Sequence, residues 1–137
     1  MLYFQGEDPQ HGSELWRTDG TAEGTYALVD LCPGSCWGLG EPLGFFAGHL
    51  YFRGDDREHG AEIWRTDGTV GGEELLADLC PGTCGTEPRG WSEWRGKLWF
   101  LTQASGGTAT LWNSDATAAG TKPVANLCDD FRLRRRR

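Results

Sequence analysis

The chain has 137 residues, a length that fits one domain, with 38% apolar residues, seven Trp and six Phe. Its 21 Gly argue for many turns and short strands, and no apolar run approaches the about 20 residues that a membrane-spanning helix needs. The net charge of −7 hides a basic tail (Arg132, Arg134, Arg135, Arg136 and Arg137); the rest carries 8 basic against 20 acidic residues, a balance that repels nucleic acid and anionic membranes.

The first strand-like run is Leu2-Tyr3-Phe4, followed by Gln5-Gly6. These five residues look like the scar of a cleavable purification tag. Yet Leu50-Tyr51-Phe52-Arg53-Gly54 stands 48 positions on, in register, so the segment is read as native. Aligning residues 2–49 on 50–97 without gaps gives 23 identities in 48 positions, the mark of a duplication. Trp16, Trp64 and Trp112 follow the same period, as do Cys32, Cys80 and Cys128, and Asp19, Asp67 and Asp115. The chain therefore divides into repeat 1 (2–49), repeat 2 (50–97), a truncated repeat 3 (98–130) and a basic tail (131–137) expected to be disordered. No leader pattern precedes the first repeat, so an exported protein is expected to carry its signal upstream.

Through the second copy, short strands alternate with turn chemistry. Leu50-Tyr51-Phe52 leads into the polar connector Gly54 to Gly60. Glu62 to Thr66 is the second strand, closed by the turn Asp67-Gly68-Thr69. Glu74 to Leu79 is the third, ending at the loop Cys80-Pro81-Gly82-Thr83-Cys84. A weaker strand, Trp91 to Trp94, turns at Arg95-Gly96-Lys97 into Leu98-Trp99-Phe100. No stretch keeps a helical period over three turns.

Four short antiparallel strands per 40–50 residues is the pattern of a β-propeller blade, so the expected fold is all-β, with about three blades. A linear β-solenoid is the second arrangement. The first copy starts one strand late, which predicts about eleven strands. Closed propellers use about four to eight blades, so the blades are expected to neighbour others in a longer chain or to complete a ring by dimerisation.

The segments Glu14 to Thr21 (followed by Gly24-Thr25) and Glu62 to Thr69 resemble the signature of bacterial ELWxxDGT-repeat proteins. His11-Gly12, His59-Gly60 and the Asp30-Leu31 and Pro33-Gly34 pairs fit as well. The third copy departs, since Thr110 replaces the Glu and Ala116 the turn Gly. The resemblance covers residues 2–130 and implies a repeat fold and export in a family of mostly unassigned function.

Several residues are candidates for chemistry. Asp19, Asp67 and Asp115 are read as structural turn residues rather than Ca²⁺ ligands, because each turn offers one carboxylate. Glu7 and Asp8, and then Asp55, Asp56 and Glu58, form denser connectors, read as polar hairpins rather than a metal site. Glu14 and Glu62 lack the paired carboxylate that acid–base work requires. His11, His59 and His49 are read as turn or surface residues. Cys32–Cys36 and Cys80–Cys84 share one spacing across a Pro-Gly turn, within disulfide reach, which points to an oxidising compartment; Cys128 is left unpaired, because Arg132 stands at its partner position. Zinc is disfavoured, because the two pairs lie a full repeat apart and no histidine clusters with them.

Trp37, Trp91 and Trp94 lie near loops and are the candidate ligand-stacking residues, while Trp16, Trp64 and Trp112 are read as core. No metal or cofactor is expected. The function these features point to is a non-catalytic extracellular binding or adhesion module for a glycan or protein. The alternative is a self-assembling structural repeat, and a carboxylate-dependent hydrolase ranks last.

Overall fold

The computed structural model describes residues 1–80, 86–103 and 109–127. Among them there is no helix, and eleven strands form three antiparallel sheets. The first sheet holds β1 (Leu2–Asp8), β2 (Gly12–Thr18) and β3 (Tyr26–Ala27). The second holds β4 (Leu39–Phe46), β5 (His49–Asp55), β6 (Ala61–Thr66) and β7 (Glu73–Ala77). The third holds β8 (Arg89–Trp94), β9 (Lys97–Gln103), β10 (Ala109–Ser114) and β11 (Lys122–Asn126). Neighbours in sequence are neighbours in each sheet, and the three sheets do not close on one another.

Local chemistry sets the hairpins. Ala47-Gly48 joins β4 to β5 with φ of 50° and 82°, and Arg95-Gly96 joins β8 to β9 with 53° and 70°. Two consecutive positive φ angles make a type I′ turn, whose twist suits a two-residue hairpin. The sheets run one strand out of phase with the sequence copies: β4 closes the first copy but pairs with β5 of the second. Leu39–Phe46 is the first-copy counterpart of the weaker fourth strand expected at Trp91 to Trp94, and Gly40, Pro42 and Gly44 punctuate it. The strand accommodates them by shifting register twice, between Leu39 and Glu41 and between Pro42 and Gly44.

The second sheet is the middle layer, so both its faces are apolar. With a side-chain period of two, Leu50 and Phe52 point one way and Tyr51 the other. Leu50, Phe52 and Trp64 pack on Leu15, Leu28 and Val29 of the first copy. Phe46, Tyr51, Ile63 and Leu76 pack on Leu98 and Phe100 of the third sheet. A row of aromatic contacts ties this second interface together. The Trp91 ring lies 4.9 Å from Tyr51 and 6.3 Å from Phe100, and Phe100 stacks on Trp112 at 6.3 Å. Trp91 crosses β4 at Gly44, where a Cβ would stand 2.4 Å from its Cδ1.

Candidate functional site

The repeated residues build three devices. The first is the Asp-Gly-Thr turn. Asp19 Oδ1 accepts from Thr21 N at 2.9 Å and from Thr21 Oγ1 at 2.6 Å. Asp67 repeats this with Thr69 (2.9 and 2.6 Å), and Asp115 with Thr117 (3.0 and 2.5 Å). The threonine hydroxyl and N–H hold each carboxyl below the usual aspartate range. Later in each turn, Gly24, Gly72 and Gly120 lie against the same carboxylates; a Cβ there would come within 2.0, 1.9 and 2.0 Å of Oδ1. The turn is thus a closed unit in which the carboxylate is spent on its own backbone.

The second device is a buried glutamate beneath each cysteine loop. Glu14 and Glu62 are both 0% exposed. Glu14 Oε1 accepts from Cys32 N at 3.0 Å, and Glu62 Oε1 from Cys80 N at 2.9 Å. Burial raises each carboxyl to about 7, against the hydrogen bonds that favour the ionised form. Strand alternation alone reads these residues as polar strand positions. The signal that finds them is the constant spacing from glutamate to cysteine, the same from Glu14 to Cys32 as from Glu62 to Cys80.

The third device joins one sheet to the next. Arg17 Nη1 donates to the carbonyl of Gly68 at 3.0 Å, and Arg65 Nη1 to the carbonyl of Ala116 at 2.9 Å. Donors and acceptors both recur with the period of the repeat, so the two contacts are one contact repeated.

The cysteine loops follow the expected pattern where they are described. Cys32 and Cys36 form a disulfide with a Cα–Cα distance of 5.7 Å. Cys80 is also disulfide-bonded. Cys84, Cys128 and the arginine tail lie outside the described residues.

In the connectors, Asp8 and Asp56 each accept from a histidine three positions on, at 2.8 Å for His11 Nδ1 and 2.7 Å for His59 Nδ1. The shared hydrogen bond raises both histidines. It lowers Asp8; at Asp56 burial acts the other way, and the bonds from His59 and Glu58 outweigh it. Ligand atoms of Asp56, Glu58 and His59 lie within 4.8 Å of one another. The Asp56 carboxylate, however, already serves the N–H groups of Glu58 and His59. The first copy has Gln10 in place of Glu58, so the trio is not a repeated feature.

The three candidate stacking residues do not converge. Trp37 is 54% exposed, beside the first cysteine loop, and its backbone bridges Ser13. Trp91 fills the interface between the second and third sheets. Trp94, also 54% exposed, sits on the outer side of the third sheet against Trp99 (5.5 Å), with the Arg95 guanidinium 4.4 Å from its ring. An open groove of about 530 Å³ runs past Glu41, Arg53, Glu87, Arg89 and Trp91. Trp91 enters it while also packed between Tyr51 and Phe100, so the groove gains charge and little stacking surface. No helix of the described residues is long and apolar enough to cross a membrane. Set against protein-family models, curated proteins and solved structures, the chain matches none of them.

Proposed function

We propose that the chain is a non-catalytic extracellular module of β-propeller-type blades whose ligand is protein, namely the end face of a second copy. The observation that carries this reading is a set of counterpart residues with opposite exposure. Leu50 is 3% exposed beneath the first sheet, and its counterpart Leu2 is 61% exposed. Phe46 and Leu76 are 7% and 4% exposed beneath the third sheet, and their counterparts Trp94 and Val124 are 54% and 49% exposed. The outer side of the first sheet thus repeats one half of an internal interface, and the outer side of the third sheet repeats the other half. Apolar faces of this kind mark interaction surfaces. Stacking the third sheet of one copy on the first sheet of another reproduces an interface the chain already makes twice. Two copies joined this way at both ends give six sheets, within the range of closed propellers.

Export is supported by the Cys32–Cys36 disulfide and by the ELWxxDGT resemblance. The absence of a catalytic role is favoured by the turn aspartates, each already committed to its own turn. A glycan ligand is the second reading, favoured by the exposed Trp37; loss of glycan-array binding in Trp37→Ala is its test.

Sedimentation over a concentration series tests the main reading. The expected species is a dimer that Leu2→Glu or Trp94→Glu converts to a folded monomer. A wild-type monomer at the highest soluble concentration overturns it.

A further inference from the structure

The two joints inside the chain share a feature that a joint between copies would lack. Arg17 reaches the Gly68 carbonyl, and Arg65 the Ala116 carbonyl. Both acceptors sit in the left-handed region (φ 89° and 76°), which turns the carbonyl toward the preceding sheet. Gly20 is the counterpart acceptor on the first sheet. It has the same conformation (φ 96°) and is exposed, whereas Gly68 and Ala116 are half-buried. Among the described residues no side chain donates to its carbonyl.

The donor position on the third sheet is Asn113, whose amide ends far short of a guanidinium. The cross-strand neighbour has changed with it. Arg17 pairs in register with Tyr26, whose ring lies 5.2 Å from its Cζ. Arg65 pairs with Glu74, which accepts from its Nε at 2.5 Å. Asn113 pairs with Lys122. A lysine in that place does not support an arginine; it repels one. Donor and support are therefore both absent at the outward joint, while the acceptor is kept.

We infer that the joint between copies is a clamp-free version of the internal joints, held by apolar contact alone and so reversible, with the Gly20 turn left as an unfilled arginine acceptor. This rests on the head-to-tail reading above. An exchangeable joint suits a module that assembles and separates at ordinary concentrations.

The test restores the missing pair with Asn113→Arg/Lys122→Glu and measures the dimer dissociation constant by sedimentation. A charge-assisted hydrogen bond regained at two equal joints is expected to tighten the dimer about tenfold or more. Asn113→Arg alone, still facing Lys122, is expected to tighten it less, and it serves as the second variant should the double variant not fold. Dimers of unchanged affinity in both variants overturn the clamp and leave the head-to-tail reading standing. Absence of any dimer, in wild type and variants alike, overturns both. A wild-type monomer at the highest soluble concentration overturns the head-to-tail reading and, with it, the joint between wild-type copies, whatever the variants do.

Discussion

Thr86 Oγ1 donates to Glu62 Oε2 at 2.9 Å, and Gly38, its counterpart one repeat earlier, leaves Glu14 Oε2 without a partner. Both glutamates otherwise do the same work, receiving the first N–H of a cysteine loop on Oε1. A buried carboxylate oxygen with no donor is costly when charged and cheap when protonated. The two copies of one repeat thus hold the same loop with unequal satisfaction, and protonation closes the difference.

Stability is expected to fall as pH rises from about 5 to 8. Each glutamate has a carboxyl raised from 4.5 to about 7 in the folded chain. The folded state binds more protons than the unfolded state between those values, so the contribution is full below the lower value and lost through the upper one. The upper bound is about 3 kcal/mol per group. His11 and His59, raised by their aspartates, also lose their contribution as pH rises through their folded values. Glu62→Gln keeps an acceptor for Cys80 N and removes the charge, so it should remove the Glu62 share of this slope and leave the Glu14 and histidine shares. Urea midpoints at four pH values measure it; a wild-type midpoint that rises from pH 5 to 8 contradicts the account.

Gly38 tolerates no side chain. A Cβ there would stand 1.9 Å from Glu14 Oε1, and Glu14 has nowhere to go because it is fully buried. Gly38→Ala is expected to cost about 1–3 kcal/mol through overpacking. Thermal unfolding of the variant beside Gly48→Ala, at a position with open space around it, separates crowding from backbone strain. Equal losses in the two would remove the crowding argument.

Much of this arrangement is legible in sequence because it is local or periodic. The alternation of Leu50, Tyr51 and Phe52 between two interfaces, the Asp-to-Thr turn and the Cys32–Cys36 pair each follow from neighbours close in the chain. What escapes is long-range. The Arg17 and Arg65 contacts reach across more than a full repeat, and nothing around either arginine announces its carbonyl partner. Trp91 reads as loop-proximal because Gly90 and Ser92 flank it; the register shift between Arg89 and Ser92 lets it pack on Tyr51 instead. The sequence marks Glu14 and Glu62 as repeated residues without a paired carboxylate, but not as buried: a buried glutamate is rare without a partner, and the partner is a backbone N–H on a loop beyond the next strand.

The first cysteine loop should hold a measurable but modest share of stability. Cys32 and Cys36 are separated by 4 in sequence, so the chain-entropy relation gives about 2 kcal/mol. Cys32→Ala/Cys36→Ala should lower the unfolding free energy by that order. The loop should stay docked, because Glu14 still receives Cys32 N. Neither cysteine should react with a thiol reagent under native, non-reducing conditions. Reaction of both at the native state, with no change in stability on adding reductant, would contradict this.

Arg65 does two jobs at once, and a substitution separates them. Its Nε serves Glu74 within the second sheet and its Nη1 serves the Ala116 carbonyl on the third. Lysine keeps the charge but offers one compact ammonium, which has no fixed fork to meet two acceptors in different directions. Arg65→Lys should therefore lose most of what Arg65→Ala loses, about 2 kcal/mol for a hydrogen bond from a charged donor. Arg17 has only a ring beside it in place of a carboxylate, so Arg17→Lys, free to point its ammonium at Gly68, should lose less than Arg65→Lys. The ordering is the informative quantity. If charge alone tied the sheets together, both lysine variants would be as stable as wild type; if the fork matters, only the arginine facing two acceptors suffers from losing it.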